Sequence, residues 1–186
     1  MATIVELDGV APTVGEGVFL APTAVLVGDV RVGEKCNIWF GTVLRGDGTN
    51  SFIQIGAGCS IQDNAVIHCA DDLPTVIGAD VVVGHGAMLE GCTVDDRALI
   101  GMGSIILQRV HVGAGAMVAA GAVVSERTEI PAGVLAAGVP ARVKKELSGS
   151  ALAWTESAAA HYQELREHYL TTSRVRQHED ERVPGN

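Results

Sequence analysis

Along most of this chain six residues separate one aliphatic side chain from the next, and that spacing restricts the possible folds more than any other feature. Counted from Val14, the marks are Val14, Leu20, Leu26, Val32, Ile38 and Leu44. The phase slips by five residues within RGDGTNSFIQ and resumes at Ile55, Ile61 and Ile67. It slips by four around DDLPT and resumes at Ile77, Val83 and Leu89. One residue is then lost, and the series runs Val94, Ile100, Ile106, Val112, Val118, Val124, Ile130 and Ala136. Nineteen of these twenty marks are Val, Ile or Leu, although only 49 of the 186 residues are; about five would fall there by chance. Glycine follows the mark at Gly15, Gly33, Gly56, Gly78, Gly84, Gly101 and Gly113.

A period of six is neither the 3.6 of a helix nor the bare alternation of a strand. It suits a short strand followed by a tight corner, with the marked aliphatic inward and glycine relaxing the backbone near the corner. Three such strands make a triangular coil, and successive coils stack as parallel strands ~4.8 Å apart. Hydrophobic residues make up 47% of the chain but aromatics only 4%, which fits the thin aliphatic core of a stacked repeat. The β-coil domain is expected over residues 1–147. After Pro140 the period stops, and Leu152, Ala159, Tyr162, Leu165 and Tyr169 recur at helical spacing. That pattern predicts an amphipathic helix over 148–171, packed along the prism, and a flexible tail over 172–186.

A net charge of −9 without a basic patch argues against nucleic acid and against an acidic membrane surface. No apolar run reaches the ~18 residues of a membrane span, and the first residues lack the order of a signal peptide. Cys36, Cys59, Cys69 and Cys92 form no C-x-x-C pair and read as reduced thiols of a cytoplasmic protein.

Let the faces be A, B and C, with the insertions at corners. Leu44, Ile67, Leu89 and Ile106 are then successive marks on face C. The residues after them point outward, so that Arg45, His68 and Glu90 stack as a polar ladder, with Leu107 next. Gln62 follows Ile61 on face B. His85, two after Val83, lies near the B–C corner and cannot easily turn back to the ladder of its own chain. Two ligands ~5 Å apart can share one ion through bonds of ~2.0–2.2 Å. A neighbouring chain would supply His85, and triangular prisms suit a cyclic homotrimer. Taken singly, a histidine or glutamate is ordinarily a solvated surface residue. Arg45 and Asp47 can simply hold a turn, and Gln62 and Asp63 can cap loop backbone. Joint placement is what singles them out. All four cysteines read as structural, and His111, His161 and His168 as non-ligands.

The segments NIWFGTVLRGD, IQDNAVIHC, VGHGAMLEGC, IGMGSIIL and AAGVPARV resemble the γ-class carbonic anhydrase-like family of hexapeptide-repeat proteins. The resemblance covers roughly residues 10–142 and implies a left-handed parallel β-helix, an all-β fold, with the C-terminal helix added. It implies a zinc enzyme in which metal-bound hydroxide converts CO2 to bicarbonate, with ligands drawn from two subunits of a trimer. The positions that match the family's ligands are His68, His85 and position 90. Arg45 and Asp47 match an interfacial ion pair, Gln62 a residue that orients the metal-bound water, and Tyr162 a helix tyrosine near the site. The departure is Glu90, where most relatives carry histidine. A His2Glu set still holds catalytic Zn2+ and also suits Fe2+, but the carboxylate cancels one unit of charge and makes bound water less acidic. Alternatively Glu90 is a general base. Other readings are a metal-dependent hydrolase, hydratase or lyase for a small acyl or thioester compound, an acyltransferase, and a non-catalytic scaffold.

Overall fold

The computed structural model describes residues 1–173. Within them the chain winds as a triangular parallel β-solenoid whose walls are sheets of seven, seven and eight strands. The expected all-β parallel β-helix with one C-terminal helix is the architecture observed. Most strands contain only two to four residues, because each face holds one inward aliphatic before the next corner. Face C runs through Val25–Gly28, Val43–Gly46, Val66–His68, Met88–Glu90, Ile105–Ile106 and Val123–Val124. Register places Leu44, Ile67, Leu89 and Ile106 one above another, as the period requires.

The marks form the core. Leu26, Ile38, Leu44, Ile61, Ile67, Ile100 and Ile106 are fully buried. Val14 is exposed and Leu20 half-buried because both lie on the first coil, with little stacked beneath. That coil begins earlier than the period does. Thr3–Val5 pairs in parallel with Val25–Val27, and a small hairpin at Leu7 and Val10 separates it from Val14 and breaks the count.

The glycines require a correction. Those after the marks have ordinary φ; the left-handed slot is the third residue after the mark. There Lys35, Asn64, Asp80, Arg97, Arg109 and Arg127 sit at φ of 56–58° beside glycines such as Gly86 and Gly115. Glycine follows the mark for a different reason, namely the close approach of the next coil. A Cβ on Gly84 would lie 2.7 Å from Met102 N, inside van der Waals contact with backbone.

The two insertions leave from the same C–A corner on consecutive coils and bind each other. Thr49 N donates to Asp71 Oδ1 at 2.7 Å, and Asp72 N donates to Thr49 O at 2.9 Å. At the far end Val134–Gly138 turns back antiparallel to Ala141–Glu146 and closes the stack.

The helix spans Gly149–Thr172 and lies on face B. Tyr169 packs edge-on against Trp39 and Phe19, with centroids 4.9 and 5.4 Å away. Gln163 Nε2 donates to Lys35 O and Gly58 O, each at 2.9 Å. Its buried side includes Thr155, Ala158 and Arg166, whereas Leu152, expected on the apolar face, is exposed. Trp154 and Tyr162 share a groove with Val82, Leu99 and Met117 of face B, and Leu152 is not among its lining residues. Of the expected tail, Thr172 closes the helix and Ser173 caps it; 174–186 lie outside the described residues. Among the described residues no helix is long and apolar enough to cross a membrane.

Candidate metal centre

Parallel pairing sets Arg45, His68 and Glu90 side by side on face C. Asp47, from the first insertion, folds back over this ladder. Its Oδ2 accepts from Arg45 Nη1 at 2.5 Å and its Oδ1 lies 3.0 Å from His68 Nε2. Burial works to raise the Asp47 pKa, but the hydrogen bonds and charges of Arg45 and His68 outweigh it and hold the carboxyl below its usual value. An ionised carboxylate only accepts, so His68 Nε2 carries a proton, and in the neutral imidazole Nδ1 then keeps a lone pair. That lone pair faces Glu90 Oε1 at 3.8 Å. Two acceptors therefore confront each other at a separation that two bonds of ~2.0–2.2 Å can bridge. A carboxylate behind the imidazole is also the usual support of a metal-binding histidine. The donor set fits a cation.

His85 stands apart from this pair. It occupies the B–C corner, with Nδ1 2.9 Å from Asp63 Oδ2. Its backbone N–H donates to Gln62 Oε1 at 3.2 Å, which fixes the amide and turns Nε2 of Gln62 away as a donor. Tyr162 of the helix completes this cluster. Burial pushes its hydroxyl up in pKa, the neighbouring Gln62 amide opposes the shift, and the charge of Asp63 adds to it, so it stays protonated at neutral pH. Among the described residues of one chain, no three His, Cys, Asp or Glu side chains converge on a common point. One subunit thus carries two half-sites: Arg45, Asp47, His68 and Glu90 on face C, and Gln62, Asp63, His85 and Tyr162 at the corner and helix.

Three residues of this region escape sequence reasoning about the site. Asp63 reads from the sequence only as a loop cap. Thr75, fully buried at the end of the second insertion, donates its hydroxyl to His68 O and accepts from Gly91 N at 2.8 Å. It ties together the strand ends that carry His68 and Glu90. Gln108 Nε2 donates to Glu90 Oε1 at 2.9 Å, although the period places Leu107 next in the outward column. The four cysteines are free and buried, as expected of structural thiols, and burial pushes Cys92 up to about 12.

Stacked coils built from six-residue units define a hexapeptide-repeat protein, and the family profile described as bacterial transferase hexapeptide (six repeats) matches residues 11–46. The carbonic anhydrase of Geobacillus kaustophilus is 43% identical over 173 residues, covering 93% of this chain and 94% of that protein. Gamma carbonic anhydrase 2, mitochondrial, of Arabidopsis thaliana is 41% identical over 166 residues, 86% of this chain; the chain spans 59% of that longer protein. The crystal structure of a putative acetyltransferase from Bacillus cereus matches with a TM-score of 0.88 at 37% identity, over 91% of this chain and 98% of that one. The chain belongs to the γ-class carbonic anhydrase-like family of hexapeptide-repeat, left-handed β-helix proteins.

Proposed function

We propose that the protein is a metal-dependent enzyme that hydrates CO2 to bicarbonate, assembled as a homotrimer whose subunits each lend half of every site. The observation that carries this reading is the division of the candidate residues into two half-sites on adjoining surfaces of one prism. The outward residues before the face C marks, Val25, Val43, Val66, Met88, Ile105 and Val123, form a continuous aliphatic column beside the polar ladder. Such a column asks to be covered. A head-to-tail contact that closes after three subunits would set it against the partner's B–C corner, bringing His68 and Glu90 to a partner's His85.

In this reading His68, Glu90 and the partner's His85 hold Zn2+, with Fe2+ as the other ion that two imidazoles and a carboxylate suit. The ion supplies Lewis-acid activation of water. The chain does the rest. Asp47 fixes the His68 tautomer and is itself held by Arg45. Gln62, pinned through Oε1, points an amide donor at the reacting oxygen. Tyr162 keeps its proton beside the Gln62 amide. Four buried, unpaired thiols support a cytoplasmic setting.

The shared site is testable by complementation. His68→Ala and His85→Ala should each abolish CO2 hydration in a stopped-flow assay of the metal-loaded protein. Co-refolding the two should restore about a quarter of wild-type activity, because random mixing gives a quarter of the seams one intact half from each chain. Failure to recover any activity from mixed trimers would sink the shared site.

One observation favours a second reading, action on a small acyl or thioester substrate. A groove of about 280 Å³ runs from Gln62, His85 and Tyr162 past Val82, Leu99, Met117 and Trp154. It is far larger and more apolar than CO2 requires. Turnover of a short acyl thioester, lost with His85→Ala, would favour this reading over CO2 hydration.

A further inference from the structure

Glu90 is 41% exposed and has three rotatable side-chain bonds, so unaided it would not keep one oxygen at a set distance from His68. Gln108, one coil further along, removes that freedom. Its Nε2 donates to the same Oε1 that faces His68 Nδ1. The backbone carrying this amide is pinned on both sides of the residue. Gln108 O accepts from Arg127 N at 3.1 Å, and Arg109 N donates to Gly91 O at 2.7 Å. Gly91 leaves the passage open, since a Cβ there would come within 2.5 Å of Leu73 Cδ2 and 3.4 Å of Gln108 Cγ. The amide takes one lone pair of Oε1 and leaves the other, together with the carboxylate's full negative charge, for a cation.

We propose that Gln108 is a positioning residue that holds the Glu90 carboxylate toward His68 and so makes Glu90 a metal ligand. The inference rests on reading the ladder as half of a metal site. It also accounts for how the carboxylate at position 90 serves there: glutamate brings charge but little rigidity, and the neighbouring amide supplies the rigidity. Groups that support a metal ligand in this way typically change metal affinity about 10–100-fold when removed.

Cobalt(II) is the probe, with affinity measured on the full-length protein by competition against a chelator and the visible d–d spectrum recorded alongside. Gln108→Met keeps the side-chain length but has no donor, and thermal melting checks that it folds. It should weaken cobalt binding about 10–100-fold and alter the spectrum. In a Glu90→His background the same change should alter affinity by less than about twofold, because there is no carboxylate left to position. Wild-type protein that binds cobalt, with Gln108→Met within twofold of it, overturns the proposal alone. An equal loss in both backgrounds also overturns it and assigns Gln108 a merely structural role. Wild-type protein that takes up no cobalt overturns the proposal together with the metal-site reading.

Discussion

His111 and His68 are each flanked by two acidic side chains, but only His111 has both within hydrogen-bond distance. Register on face A aligns His111 with Glu129, so that Nδ1 lies 2.6 Å from Glu129 Oε1 while Nε2 lies 2.8 Å from Asp95 Oδ2. Both ring nitrogens are occupied, and the imidazolium is the favoured form: the hydrogen bond to Asp95 raises the pKa most, burial opposes it, and Glu129 adds to the rise. A raised folded pKa gives stability that is complete below the unfolded value of about 6.5 and is lost as pH climbs through the folded value. His111→Gln should therefore lower the melting temperature at pH 6 and leave it unchanged at pH 9. With 38% of the His111 side chain exposed, solvent screening keeps the loss under about 1 kcal/mol. Equal effects at the two pH values would disprove the clamp. Asp47 has the opposite sign, since its depressed pKa contributes stability above about 3.9 that fades only as pH falls through the lower folded value. Its hold on His68 therefore persists across the neutral range. Spacing alone could set neither difference, because it does not say which ring atom meets which oxygen.

At the scale of one coil, glycine serves two purposes that look alike in the sequence. Gly113 follows a mark, and a Cβ there would meet Ala132 N at 2.5 Å; Gly115 sits at a corner with φ +61° and open space around it. Gly113→Ala should cost about 1–3 kcal/mol as the coils are forced apart. Gly115→Asn should cost less than about 1 kcal/mol, since Asn64 already adopts φ +58° in the matching slot and asparagine tolerates that region. Urea melts of the two variants check the ranking, and the reverse order would refute the close-approach account. The period made the strands, their faces and the ladder legible because one buried aliphatic per six residues is a strong repeated signal. It did not reveal Thr3–Val5, which a hairpin separates from the count, or the course of the insertions that bring Asp47 and Thr75 to His68. The helix was legible from its spacing, yet Leu152 is exposed, because helical periodicity marks a stripe without showing which of its residues the sheet reaches.

For the whole molecule the aliphatic column on face C makes the decisive prediction. Met88 is 49% exposed at its centre, between Val66 and Ile105. Met88→Glu should leave the β-sheet circular dichroism intact and shift sedimentation velocity from the proposed trimer to monomer, with loss of the proposed shared site. A trimer that survives the charge would remove face C from the seam. The stacking of the regular coils was determined by the sequence alone: an aliphatic every sixth residue is buried when the chain closes a triangle and stacks. Which groups meet over the ladder was decided by the tertiary structure. Asp47, Thr75 and Gln108 arrive from insertions and a turn that carry no period, and their contacts depend on rotamers and on neighbouring coils.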